Sequence, residues 1–231
     1  KKLDPSTGEV TTFAGLNDDQ NSGADDDVDG VGTLARFGFL IGITIDSNDN
    51  LYVSDSGNNK IKKIAPDGTV SSIAGSTNGL QDGNGSSAKF STLWHIDIDS
   101  NGNLYVSDMG NHRIQKISSG GNLSGITFAG YNGSGVTNNQ LSGPRGICLD
   151  SDGNVFVADQ SNHRIQRFPE NSNSSTNGIT IAGISGSFGS SEGELSQPKD
   201  IFVDKNGYLY VGDAGNYRIQ KFSPNTISTN T

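Results

Sequence analysis

Four copies of one phrase organise this chain. Residues 55–64, 108–117, 159–168 and 213–222 each run from an Asp, through a turn holding Asn58, Asn111, Asn162 or Asn216, to a basic residue and an apolar stripe. The four Asn positions are 53, 51 and 54 residues apart. A second shared phrase precedes each copy, ending in Leu-Tyr-Val or a close variant at residues 51–53, 104–106, 155–157 and 209–211. A third ends in Ala-Gly, at Gly15, Gly75, Gly130 and Gly183. A period near 50 residues limits the chain to a repeat architecture, because each unit must bury its faces against its neighbours.

Each unit reads as four short strands. Apolar residues alternate at period 2 in residues 42–46, 50–55, 60–64 and 70–74, and in their equivalents. An Asn-Gly or Asp-Gly pair between the first two strands supplies the positive φ of a tight hairpin. Asp55 and Lys60 flank a four-residue loop, so they should face each other, as should Asp108 and Arg113, Asp159 and Arg164, and Asp213 and Arg218. Read as exposed cross-strand pairs, these are worth a few tenths of a kcal/mol, up to about one. No stretch sustains a 3.6-residue apolar period, so almost no helix is expected. Four-stranded units repeated in this way predict an all-β fold, a β-propeller of four-stranded antiparallel blades.

Composition narrows the function. Sixteen basic against 25 acidic side chains give a net charge of -9, which disfavours a general nucleic-acid surface. The longest apolar run, residues 37–45, is far too short to span a bilayer. Cys148 is the single cysteine, so neither an intrachain disulfide nor a Cys-rich zinc site is expected. The chain starts at Lys1-Lys2 with no apolar leader; this leaves the compartment open, extracellular being favoured over cytoplasmic.

The phrase G-I-x-x-D-x-x-G-N-x-x-V-x-D-x-x-N-H-R-I-Q, at residues 146–166, resembles the NHL repeat. The other units match it with substitutions: Asn59-Lys60 in the first, His95 for Gly in the second, Tyr217 for His in the fourth. The connecting phrase D-G-x-G-x-x-A-R/K-F, at residues 29–37 and 82–90, is also similar to linkers of that family. The resemblance covers essentially the whole chain. It implies an NHL propeller, usually six-bladed, in a family with ligand- and partner-binding domains, RNA-binding domains on ubiquitin-ligase scaffolds, and a lyase. One propeller region spans 1–231: residues 1–15 end a preceding blade, and 16–75, 76–130, 131–183 and 184–231 are successive repeats, the last incomplete. The four repeats read as part of a larger ring. The competing expectation is that the strand at residues 10–14 completes the last blade and closes a four-bladed one.

Candidate sites follow from where the repeats disagree. The innermost strands start with Ile41-Gly42, Trp94-His95, Arg145-Gly146 and Lys199-Asp200. In a propeller these starts ring one mouth of the central channel, so Ile41, Trp94, His95, Asp97, Arg145, Lys199 and Asp200 form the candidate ligand-binding set. His95 and Asp97 share one face of a strand, the arrangement of a carboxylate-oriented base, but no nucleophile accompanies them. The resemblance places the metal-binding histidines of the lyase branch near these strand starts, where this chain has only His95. His112 and His163 sit at one repeat position in separate turns and should not converge. Asp25, Asp27, Asp29 and Gly30 fit D-x-D-x-D-G, the front half of a calcium loop, although Arg36 replaces the expected Glu. The reading that results is a non-enzymatic binding or scaffolding propeller for a protein, peptide or glycan, with no cofactor unless calcium binds at Asp25, Asp27 and Asp29. A metal-dependent lyase or hydrolase and an RNA-binding or ubiquitin-ligase-associated domain are the alternatives. Self-association is expected if the ring is incomplete.

Overall fold

A computed structural model describes residues 1–16, 27–120, 123–130 and 133–224. Its backbone is β-strand and turn, with single 3-10 turns of three residues such as Met109–Asn111. The first blade pairs Leu40–Ile45, Leu51–Asp55, Lys60–Ile64 and Thr69–Ala74 in sequential antiparallel order, with Gly30–Val31 added outside the last strand. The second comprises Leu93–Ile98, Leu104–Asp108, Arg113–Ile117 and Ser124–Ala129, edged by Gly83–Asn84. The third comprises Pro144–Leu149, Val155–Asp159, Arg164–Phe168 and Ile179–Gly183. Among the described residues the fourth has three strands, Pro198–Val203, Leu209–Asp213 and Arg218–Phe222.

The hairpin turns behave as their residues demand. Asp46, Asp99, Asp150 and Asp204 each accept two backbone N–H groups of their own turn through Oδ1. The positive-φ position is Gly102, Gly153 and Gly207 in the later blades and Asp49, at φ 62°, in the first. Asp is one of the few side chains that tolerate this conformation, because its short polar group bonds locally.

The cores lie between the blades. Along the second strand of the second blade, Leu104 and Val106 pack back on Ile61 and Ala74 of the first, while Tyr105 packs forward with Ile147, Val155 and Phe168 of the third. Val155 and Val157 face back, and Phe156 and Ala158 join Ile201, Leu209 and Val211 of the fourth blade. The period-2 alternation of a strand thus feeds two cores at once. Ile61, Ile114 and Ile165 are fully buried by the following blade, whereas the equivalent Ile219 is 72% exposed.

Val10–Thr11 pairs with Lys2–Leu3, not with the fourth blade. Phe13 and Ala14 pack against the first blade's core, and the Gly15 N–H donates to Gly32 O just as the Gly75 N–H donates to Gly85 O one blade later. This hairpin therefore stands before the first blade as the first stands before the second, and it does not close a four-bladed ring.

The ion pairs need two corrections. Arg113, Arg164 and Arg218 donate through Nε to Asp108, Asp159 and Asp213 at 2.7, 2.8 and 2.8 Å. They are not surface pairs: Asp159 and Arg164 are both fully buried. In the first blade Asp55 and Lys60 are register partners, but Lys60 pairs with Asp27. Asp55 instead accepts from the Asn58 side chain at 2.9 Å and the Gly38 N–H at 3.0 Å. A lysine presents one compact charge, whereas the planar guanidinium serves its hairpin Asp and the adjoining linker together.

Candidate functional site

The innermost strands of the blades run side by side around a central cleft of about 290 Å³, lined by residues including Thr44, His95, Asp97, Cys148 and Asp200. At the start of each, the register slips against the second strand: between Leu40 and Ile43, at Trp94-His95, between Pro144 and Ile147, and between Pro198 and Asp200. Ile41-Gly42, Trp94-His95, Arg145-Gly146 and Lys199 therefore sit in β-bulges, the irregularity that re-aims a side chain out of the alternation, while Asp200 pairs with Gly212.

Neighbouring bulges are tied together. The Ser54 hydroxyl donates to Trp94 O at 2.6 Å and accepts from the Gly42 N–H at 2.7 Å. The Ser107 hydroxyl donates to Arg145 O at 2.5 Å. A Cβ on Gly42 would stand 2.8 Å from Trp94 O, and one on Gly146 would stand 2.7 Å from the Asp200 Cα. Only glycine allows this approach of the inner strands. The second blade has His95 at that position, and its Nδ1 lies 2.8 Å from Ile147 O. In the tautomer carrying a proton on Nδ1, the ring donates to that carbonyl and braces the third blade.

Asp97 performs a similar bracing role. It accepts from the Leu149 N–H at 3.1 Å and the Ile98 N–H at 2.9 Å. Burial pushes its carboxyl above the usual range, opposed by those two N–H groups and the nearby His95. Cys148 is buried, and desolvation with Asp97 nearby pushes its thiol up, away from a nucleophilic thiolate. His95 and Asp97 thus share the cleft, His95 Nδ1 and one Asp97 oxygen being engaged on the adjacent strand.

Trp94 and Arg145, 51 residues apart in sequence, come together at the rim. The Arg145 guanidinium lies 4.1 Å from the Trp94 ring centroid. Its Nε is buried without a hydrogen-bond partner among the described residues. Desolvation lowers its pKa, yet an arginine stays charged at neutral pH. Ile41 and Lys199 occupy the equivalent bulges, Ile41 half-buried and Lys199 exposed; like Trp94 and Arg145, they do not line the cleft. Asp200 is exposed and lines the cleft.

His112 and His163 do not converge. Each adopts left-handed backbone, and each Nδ1 accepts an N–H from the loop leading into the next blade, Gly143 for His112 and Gln197 for His163, both at 3.0 Å. Asp25 lies outside the described residues. Asp27 and Asp29 hold the buried Lys62 ammonium at 2.7 and 2.8 Å, and Asp29 also accepts from the Ser72 N–H and hydroxyl. Asp82 does the same work one blade later for Thr127, Gln115 and Arg113. Among the described residues no three His, Cys, Asp or Glu side chains group to hold a metal.

Sequence reasoning missed the far end of the channel. There a second cleft of about 470 Å³ is lined by Asp97, Asp99, Asp150, Asp152 and Glu170. The repeated Asp-Ser turns signalled it, since a turn closing an innermost strand must stand beside the axis. Asp99 and Asp150 are committed to their own turn amides.

Comparison with known proteins agrees with this architecture. The family model for the NHL repeat matches residues 37–64, 90–117 and 141–168. NHL repeat-containing protein 2 of Homo sapiens is 38% identical over 106 residues, covering 44% of this chain and 15% of that protein. The E3 ubiquitin-protein ligase TRIM71 of Gallus gallus is 32% identical over 138 residues, covering 45% of this chain and 16% of that protein. The matches thus span only a small part of these relatives. A chain in a solved nidogen–laminin complex superposes with a TM-score of 0.61 at 18% identity, covering 82% of this chain and 62% of that one, a likeness of fold alone.

Proposed function

We propose, from the premise that this chain is an NHL-repeat β-propeller, that it is a non-enzymatic binding or scaffolding module recognising a protein, peptide or glycan through the mouth where the innermost strands begin. One observation carries the reading: Trp94 and Arg145, from different blades, stack at bulges whose backbones are fixed while their side chains are free to differ. Trp and Arg are the residues most enriched at binding hot spots, each joining a large flat area to a polar edge. The polar groups inside the cleft support the same reading, because His95 and Asp97 brace the neighbouring strand and the Cys148 thiol is kept protonated. The ubiquitin-ligase relative is consistent with a protein partner.

The test is selection of binders from displayed peptides and from a glycan array. Trp94→Ala should weaken the selected binders by about 2 kcal/mol or more with little change in melting temperature. Lys205→Ala, in an exposed turn away from the strand starts, should change neither. Unchanged affinity with a large stability loss for Trp94→Ala would show the Trp to be packing and this face the wrong one.

A further inference from the structure

Resting on that reading, we propose that the Trp94–Arg145 pair seats a side-chain carboxylate of an acidic peptide segment. Three other blade arginines show what Arg145 lacks, whereas Arg167, on the strand of Arg164, shares its unpartnered buried Nε. Arg113, Arg164 and Arg218 each hold an Asp of their own hairpin at 2.7–2.8 Å. In a chain with 25 acidic and 16 basic residues, Arg145 makes no ion pair among the described residues, and its buried Nε has no acceptor. The buried Nε is closed to an outside ligand, but the terminal N–H groups of the guanidinium donate to no described residue, and a charged donor held unpaired against Trp94 points to an acceptor from outside.

The geometry selects the acceptor. The guanidinium lies over the Trp94 ring, and its terminal N–H groups donate to no described residue. That planar fork matches the two oxygens of a carboxylate. The seat is rigid, because Ser107 holds the Arg145 carbonyl and Gly146 lies tight against Asp200.

The charge distribution favours a peptide carboxylate over a polyphosphate. Nucleic acid needs several phosphates neutralised together. Here the next bulge offers Lys199 followed at once by the exposed Asp200. The far end of the channel carries Asp99, Asp150, Asp152 and Glu170. An anionic strand following the channel meets its own sign, whereas a single carboxylate at this mouth does not.

The experiment selects displayed octapeptides on the intact chain and remakes the binders with acetylated and amidated ends. Fluorescence of Trp94, the single Trp, reads the titrations. The binders should share one Asp or Glu position, and Gln there should weaken binding roughly 10- to 100-fold. Arg145→Gln should weaken the acidic peptide equally, and the peptide's Gln change should then cost nothing further. Arg145→Lys keeps the charge and loses the fork; it should retain the melting temperature and lose most of the affinity. Binders without an acidic position, a preference that survives Arg145→Gln, or full affinity in Arg145→Lys would each overturn the carboxylate seat and leave the channel-mouth reading standing. A single-stranded oligouridylate that displaces the peptides and binds Arg145 more tightly would also overturn it. Selection of no binder sensitive to Trp94→Ala would overturn both.

Discussion

Two arginines at one repeat position provide a test of what a neighbouring blade contributes. Arg164 and Arg218 both donate Nε to the hairpin Asp at 2.8 Å. Both spend their remaining N–H groups on the linker: Arg164 on Val136 O, Thr137 O, Gln140 O and the Ser185 hydroxyl, Arg218 on Ser190 O, Ser191 O and Glu194 O. They differ in cover, since the Arg164 side chain is fully buried and that of Arg218 is 32% exposed. Removing one partner of a buried pair strands the other charge and costs about 3–5 kcal/mol. Asp213 is buried too, but Arg218 is reached by water and Asp213 keeps donors from the Ser196 N–H, Asn216 and Gln220, so Arg218→Met should cost less, about 1 kcal/mol. In a chain of this length a kcal/mol moves the melting temperature by roughly 2–4 °C. Arg164→Met should therefore lower it by roughly 6–20 °C and Arg218→Met by only a few degrees. Asp159→Leu with Arg164→Met removes both charges and should recover much of the loss, because a buried pair exchanges for apolar groups at little net cost. Thermal melts followed by circular dichroism give the comparison. Equal losses at the two positions, or a double variant no better than Arg164→Met, would refute the argument that burial by the next blade sets the energy.

The ionised Asp97 works against folding at neutral pH, since burial holds its carboxyl above the ordinary 3.8, and that cost fades as pH falls through the raised value. Asp97→Asn should therefore raise the melting temperature at pH 7 with the gain closing towards acid; a loss at pH 7 would show that the Leu149 and Ile98 N–H bonds outweigh desolvation. Calcium must displace the Lys62 ammonium to gain Asp27 and Asp29, so millimolar calcium should stabilise Lys62→Gln more than the unmodified chain, and a larger melting shift in the unmodified chain would contradict this. The fourth blade exposes Phe202, Tyr217 and Ile219, and the first exposes Ile43 and Ile45; the 231-residue chain should therefore self-associate with concentration. Ile219→Lys should weaken that association, and a concentration-independent monomer in sedimentation would refute it.

The blades were legible because their determinants are local. Turn residues at fixed spacing and period-2 alternation define each hairpin within about 20 residues, and Asp108 with Arg113, Asp159 with Arg164 and Asp213 with Arg218 meet as the hairpin register requires. Register does not report cover. The linker and the next blade bury Arg164, and neither belongs to its hairpin. The first blade departs from the rule because Lys60 and Lys62 stand where the others carry Arg and Gln, and ammonium groups turn to the linker carboxylates. At the mouth, the repeat comparison picked out positions where the copies disagree, which marks sites the fold does not dictate. It did not show that Trp94 lies on Arg145 or that His95 reaches Ile147. Those contacts cross from one blade to the next, and a period read along the chain carries no information across that gap.

The location of the candidate site follows from where the cores lie. Because every blade shares a core with each neighbour, both faces of its second strand are committed: Tyr105 to one side, Leu104 and Val106 to the other. A recognition residue placed there would empty a core. The third strand is committed too, through Ile114 and Arg113. At the start of the innermost strand the bulge lifts one or two residues out of the alternation, and the neighbouring serine or glycine fixes their backbone without consulting the side chain. Ile41, Trp94, Arg145 and Lys199 can therefore all differ while four blades keep one fold. Variation there costs the propeller little, and it is where a ligand-specific surface can form without disturbing the packing that supports it.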